Sequence, residues 1–525
     1  MTEARRFTGG RVFTGRRFVE ALLVENGRVT VAGTEAEVAR ASPTGCSAEP
    51  LAGRLVVPGL IDAHLHVAEV VRAEHGLPLE GLHSREEIGE RLRQWAESHP
   101  TGPIVGRGWS ADGFSDGQEP TRTDIESAVA DRPVVLYHIS GHMAVVNGVV
   151  LDAVGFTARS PDPPHGRLGR GRDGTPDGRL YERALHPVGR FSSGAYPPDP
   201  VAIGRTLRSW AALGITSVGT LNTDPEELEA LASLVGSGDL AVRVRAYLRY
   251  SRFAEVDVRR PIDSPEGGLL SIRGTKSFAD GAFGPRTAWL SEPYADRPES
   301  SGDSTIGAAE LAEVIERTVE VGLVPAVHAI GDRALGSVLD SLDGAPHSPA
   351  PPRIEHAALV PPELYSRLGR VRPVLVVQPG FVWSDAWLGA RLGPERARFA
   401  YPFRTLIERG HLLLGSSDAP FDPVDPWRGL AAAVHRTDPS GRSANSDPGE
   451  ALSPEQAVQL YTSNASGGLG EADLGTLEAG ARADLVVLDA PDLGRAIARG
   501  RSVVASTWLA GETTYERGRP ARETV

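Results

Sequence analysis

Short apolar runs broken by turn residues occupy both ends of this chain, and longer strand-then-helix alternations fill the space between them. In ALLVENGRVTVAG (21–33) two strand-like runs flank Asn-Gly, the strongest short-range hairpin signal. At the other end, ARADLVVLDAP (481–491) and RSVVASTWLAGETTY (501–515) read as strands punctuated by Gly and Pro. The two β-rich ends, 1–57 and 474–525, are expected to pair into one small β-sandwich outside a central unit.

Eight strand-like runs lie between these ends: 56–66, 215–220, 241–250, 271–280, 323–332, 353–357, 374–380 and 411–420. The stretches separating them have the apolar spacing of amphipathic helices, as in AAELAEVIERTVEVG (308–322). Alternating β and α implies a parallel sheet with right-handed crossovers, and eight repeats imply a (β/α)8 TIM barrel over about 58–473. The gap between the first two strands is too long for one crossover helix. It predicts an inserted subdomain at about 70–205, containing GRGW, YHISGHMAVVN and a Pro/Gly-rich loop at 160–178.

In such a barrel the C-terminal strand ends face the active site. The first strand, VVPGLIDAHLH, ends in His64 and His66, which alternation points to one side. Lys276 lies on the fourth strand, His328 and His356 end the fifth and sixth, and Asp418 follows the eighth. Each residue alone has an ordinary structural explanation: a core histidine, a turn aspartate. Their convergence from five strand ends matches a divalent ion held by imidazole and carboxylate, zinc being the natural choice.

Composition sharpens one of these assignments. Lys276 is the sole lysine in the chain; every other basic side chain is arginine. A buried lysine can lose its proton and act as a nucleophile or be carboxylated, whereas arginine stays charged. A carboxylated Lys276 would be an anionic bridging ligand; a cationic substrate anchor is the competing role. The net charge of −13 argues against nucleic acid and anionic membranes as partners. No apolar run reaches the roughly 18 residues a membrane span needs. The start has no secretory h-region, and Cys46 is the one cysteine. A cytoplasmic enzyme acting on a small molecule is expected, with a homodimer as the default assembly.

The motifs PGLIDAHLH, KSFADGAFGPRTAWLSEPYAD, VHAIGDRAL, RIEHA, VVQPGF, GSSDAPFDPVDPWRGLAAAVHR and LSPEQAVQLYTSNASGGLG occur in that order, and GTLEAGARADLVVLDA closes the set. Over nearly its whole length the chain resembles the metal-dependent amidohydrolase superfamily, in the amidohydrolase family 3 branch that includes N-substituted formamide deformylase. The resemblance implies a barrel flanked by a β-sandwich, and one or two metal ions on His64, His66, Lys276, His328, His356 and Asp418. It implies Asp418 and His142 as catalytic groups. Trp109, Asp280, Arg286 and Gln378 are candidates for substrate binding, with Arg107, Asn147 and Asp332 as further polar neighbours. The branch usually carries an acidic residue shortly before the histidine of SGHMAVVN; here Ile139-Ser140-Gly141 stands there, so the partner of His142 is open.

The expected reaction is hydrolysis of a non-peptide C–N bond in a small N-substituted amide or formamide by metal-activated water. Neither a GxSxG elbow nor a catalytic-cysteine motif is present. Deamination, cyclic amide opening and ester or carbamate hydrolysis stay open as reactions of the same superfamily. So do a lysine Schiff-base enzyme built on Lys276 and a binding protein without activity. Phe114, Phe381, Trp383 and Trp387, with Trp109, are candidates to line an apolar pocket.

Overall fold

The structure is a computed structural model describing residues 4–258, 268–346, 348, 350–498 and 500–519. Positions 1–3 and 520–525 of the terminal segments lie outside the described residues. Eight parallel strands form the central sheet in sequence order: β1 (Leu60–Leu65), β2 (Ile215–Thr223), β3 (Arg243–Arg249), β4 (Leu270–Phe278), β5 (Val324–Ala329), β6 (Arg353–His356), β7 (Val374–Val377) and β8 (Leu413–Gly415). The seam between β8 and β1 is closed by backbone bonds just past the strand ends. Asp418 N–H donates to His64 O at 2.8 Å and His66 N–H to Ala419 O at 2.9 Å. The barrel is therefore sewn shut by the segments that carry three of the expected ligands. Ile61, Leu221, Tyr247, Ala326, Val376 and Leu414, from strands on every side, pack together as its plug.

The helices outside the barrel follow their apolar spacing. Ala308–Glu320 buries Leu311, Val314, Ile315 and Thr318, the i, i+3, i+4, i+7 face predicted for 308–322.

The expected first strand, 56–66, is two strands with different jobs. Leu55–Pro58 pairs with Leu485–Leu488 in a second sheet, and β1 begins after Gly59. A Cβ at Gly59 would sit 2.2 Å from Thr216 Oγ1, so glycine is needed where the chain passes between sheets. That second sheet has six strands drawn from both chain ends. A third sheet, of four strands, comes from the N-terminal end alone. Phe7, Val24, Val56, Leu485 and Trp508 form a core common to the two. The Asn26-Gly27 turn joins Ala21–Glu25 to Arg28–Gly33 with positive φ at both positions (51° and 73°), the geometry such hairpins require.

Between β1 and β2 a mixed six-stranded sheet runs from Leu77–Pro78 to Pro176–Glu182. Its two faces are apolar. Neighbours on one strand separate between them: Val134 packs with Trp109 and Met143, Val135 with Ala144 and Leu180. Among the described residues no helix is long and apolar enough to cross a membrane.

Candidate metal centre and active-site cavity

β1, β6 and the turn after β8 bring His64, His356 and Asp418 together, with one ligand atom of each within 4.8 Å of the others. Asp418 Oδ1 lies 3.2 Å from the Nε2 atoms of both His64 and His66. His328 joins through ring contacts, 4.4 Å from His356 and 5.0 Å from His142. Lys276 is buried on β4, its Nζ 4.8 Å from the Phe278 ring centroid. The six expected ligands all line one cavity of about 880 Å³. His356 (φ 74°) and Asp418 (φ 60°) hold left-handed backbone conformations that bulky residues rarely adopt. Such strain persists only where the surroundings enforce it, and it clusters at functional sites.

Each of the four histidines has one ring nitrogen fixed to an acceptor. His64 Nδ1–H donates to Glu355 Oε2 at 2.7 Å, and His66 Nδ1–H to Leu221 O at 2.9 Å. His328 Nε2–H donates to Gly281 O at 3.0 Å, and His356 Nδ1–H to Gln378 Oε1 at 2.8 Å. This fixes the tautomers and leaves one lone pair per ring, the arrangement metal-ligating histidines use. Burial holds His66 and His328 below the ordinary imidazole range and brings His356 to about 3. These rings are neutral, as a ligand must be. Burial pulls the other way on Asp418, but the close approach of the His64, His66 and His356 rings outweighs it. The carboxyl stays well below its usual range. His64 Nε2 is fully enclosed without a hydrogen-bond partner. A buried orphan nitrogen facing a carboxylate and further imidazoles fits a bound cation.

The substrate-binding candidates take other roles. Trp109 is 0% exposed, packed in the core of the inserted sheet with its indole N–H donating to Leu136 O at 2.9 Å. Asp280 accepts the backbone N–H groups of Trp289, Ile330 and Gly331, clamping the loops after β4 and β5; burial raises it to about 7. Arg286 pairs with Asp296 at 2.6 Å within the loop after β4. Gln378 orients His356 and donates to Ser416 Oγ. None of the four lines the cavity, because each spends its polar atoms on the scaffold. Asp332 caps Ser291 N–H, and Asn147 caps the helix after it. Phe381 and Trp387 line the cavity; Phe114 and Trp383 do not.

Two acids that orient candidate histidines escape the sequence reading. Glu355, in RIEHA, is wholly buried between His64 and the Arg353 guanidinium, which it meets at 2.9 and 3.0 Å. Its signal is the alternation Arg-x-Glu ahead of the candidate ligand His356. Glu182 fills the position left open beside His142, accepting its Nδ1–H at 2.9 Å. Burial works against a proton on His142, but the Glu182 charge and hydrogen bond prevail and raise it. No local signal marks Glu182, which comes from a different strand. Arg107 pairs with Glu69 at 2.5 Å on the cavity wall and lies over the rings of Tyr137 and Phe421.

Known proteins match this arrangement. The sequence pattern of the amidohydrolase family covers residues 50–515. The chain is 30% identical to YtcJ of Bacillus subtilis (strain 168), over 97% of this chain and 99% of that protein. It is 26% identical to an N-substituted formamide deformylase of Arthrobacter pascens, over 95% of each. A crystal structure described as an uncharacterized metal-dependent hydrolase from Pyrococcus horikoshii OT3 superposes with a TM-score of 0.75 at 30% identity, covering 94% of this chain and 98% of that one. With the barrel, the buried histidines and the family pattern along most of its length, the chain belongs to the amidohydrolase family.

Proposed function

We propose that this protein is a metal-dependent hydrolase that cleaves the non-peptide C–N bond of small N-substituted amides or formamides. The observation that carries the reading is the enclosed His64–His356–Asp418 group, whose two imidazoles are oriented from behind by Glu355 and Gln378. The likeness to an N-substituted formamide deformylase supports the choice of bond. His64, His66, His328, His356 and Asp418 would hold the ion, with Lys276 as a carbamate; the donor set suits zinc. When bound, such an ion supplies Lewis acidity toward the carbonyl and acidifies water.

The chain's own residues supply the proton traffic. Asp418 is ionised at neutral pH and lies within hydrogen-bond range of two ligand imidazoles. From there it takes a proton from the attacking water and returns it to the leaving nitrogen. His142, whose proton is favoured by Glu182, faces the same cavity and is the donor to the developing oxyanion. Phe381 and Trp387 offer an apolar wall to the substrate arm. The enzyme would work on a small molecule in the cytoplasm.

The test is metal content in protein purified without chelator, with His64→Ala as the control, followed by zinc-loaded assays on N-formyl and N-acyl amines. One or two equivalents in the wild type, lost in the variant, together with turnover of a formamide, is the expected result. A protein that stays metal-free after zinc is supplied overturns the reading.

A further inference from the structure

The acidic side chains lining the cavity are paired, with one exception. Glu69 meets Arg72 and Arg107, Glu182 meets His142, and Asp418 meets His64 and His66. Asp112 pairs with Arg391, Asp224 with Arg249 and Glu310 with Arg183. Asp385 alone has no cation within salt-bridge distance among the described residues; its one side-chain bond is the Tyr401 hydroxyl, which donates to Oδ2.

Oδ1 of the same carboxyl accepts no hydrogen bond and is not among the fully enclosed polar atoms, so it opens toward the cavity that Asp385 lines. The side chain stands one helical turn beyond Phe381: the backbone N–H of Asp385 donates to Phe381 O at 2.8 Å. The Phe381 ring in turn stacks on His356 with centroids 6.5 Å apart. Tyr401 bonds the carboxyl, and Phe381 and Trp387, close to Asp385 along the chain, line the same cavity. Burial raises Asp385 to about 7, and the negative charges of Asp422 and Asp112 add to it. A lone carboxylate in a cavity lined by aromatic rings is the chemistry that receives an organic cation.

We propose that Asp385 is a specificity-determining residue that receives a positively charged group, an alkylammonium or similar cation, on the substrate arm lying past Phe381. The preferred substrates are then amides or formamides of amines that carry a second, basic nitrogen. This rests on the hydrolase reading only for the scissile bond; the cation site stands on its own geometry.

The experiment uses a matched pair, N-(5-aminopentyl)formamide and its neutral isostere N-hexylformamide. Calorimetric binding is measured on the full chain, and kcat/KM on the zinc-loaded protein. The cationic probe is expected to bind about tenfold or more tightly than the neutral one, and Asp385→Asn is expected to bring that ratio close to one. Tyr401→Phe keeps the carboxylate and should keep the preference, which provides a check if the Asn variant does not fold. No preference in the wild type, or an undiminished preference in Asp385→Asn, overturns the proposal. If neither probe is hydrolysed but the binding preference appears and follows Asp385, the hydrolase reading fails and the cation site stands.

Discussion

Glu355 Oε2 accepts the Nδ1–H of His64 at 2.7 Å, and neither side chain reaches solvent. Glu355 in turn rests on Arg353, which also donates to Ala63 O on the first barrel strand at 2.9 Å. The His64 ring is thus aimed by a carboxylate that is itself aimed by an arginine bridging two strands. Burial disfavours the ionised Glu355, but the Arg353 charge and the hydrogen bond from His64 outweigh it and hold it far below the usual carboxylate range. Glu355→Gln removes the charge while keeping the shape. It is expected to weaken zinc binding about 10–100-fold, read by competition with a chromophoric chelator. Unchanged affinity would mean that the pair serves folding alone.

Lys276 is fully enclosed, makes no hydrogen bond among the described residues, and is brought down to about 8 by burial. A lysine in that state reacts readily with carbon dioxide, and the resulting carbamate would present oxygen to the neighbouring imidazoles. Carbon-13 bicarbonate is expected to give a carbamate resonance in the zinc-loaded wild type and none in Lys276→Arg, which should also bind less zinc. A Lys276→Arg protein with full metal content would assign the lysine to another task.

Trp109 belongs to the core of the inserted sheet rather than to the cavity. Trp109→Phe removes the indole's bond to Leu136 O and opens space, a loss of about 1–3 kcal/mol. The melting temperature is expected to fall while KM for any substrate holds. A KM change at unchanged melting temperature would return Trp109 to the binding wall.

The eight barrel strands are legible in the sequence because each is a short apolar run ending in a turn or a chemically distinctive residue. Their order follows from the parallel connection rule. The candidate ligands are legible for the same reason: His64, His328, His356 and Asp418 stand at the ends of those runs. Groups that orient these candidates are legible only where they share a strand with one, as Glu355 does with His356. Glu182 stands 40 positions from His142, at the end of a strand of the inserted sheet, and only the fold brings them together. Asp280, Arg286 and Gln378 sit beside ligand motifs yet point their polar atoms at backbone or scaffold partners, and motif position does not encode that direction. The division of 56–66 at Gly59 is equally hidden, since both halves are apolar and differ only in which sheet they join.

Glu227 offers a test of stability that does not touch the centre. Its carboxylate is buried beside Arg72, and Oε1 accepts bonds from Thr220 Oγ1 and Ala68 N–H. Burial raises it to about 7, well above an ordinary glutamate at 4.5. A carboxyl raised on folding penalises the folded state once the unfolded chain can ionise. The penalty is absent below about pH 4.5, grows between there and pH 7, and is constant above. Glu227→Gln keeps an oxygen for both donors and removes the titration. Its stability relative to wild type is expected to rise by up to roughly 3 kcal/mol between pH 5 and pH 8, measured from urea unfolding midpoints at each pH. A difference that stays flat with pH would show that Arg72 holds Glu227 ionised, leaving no burial penalty to relieve.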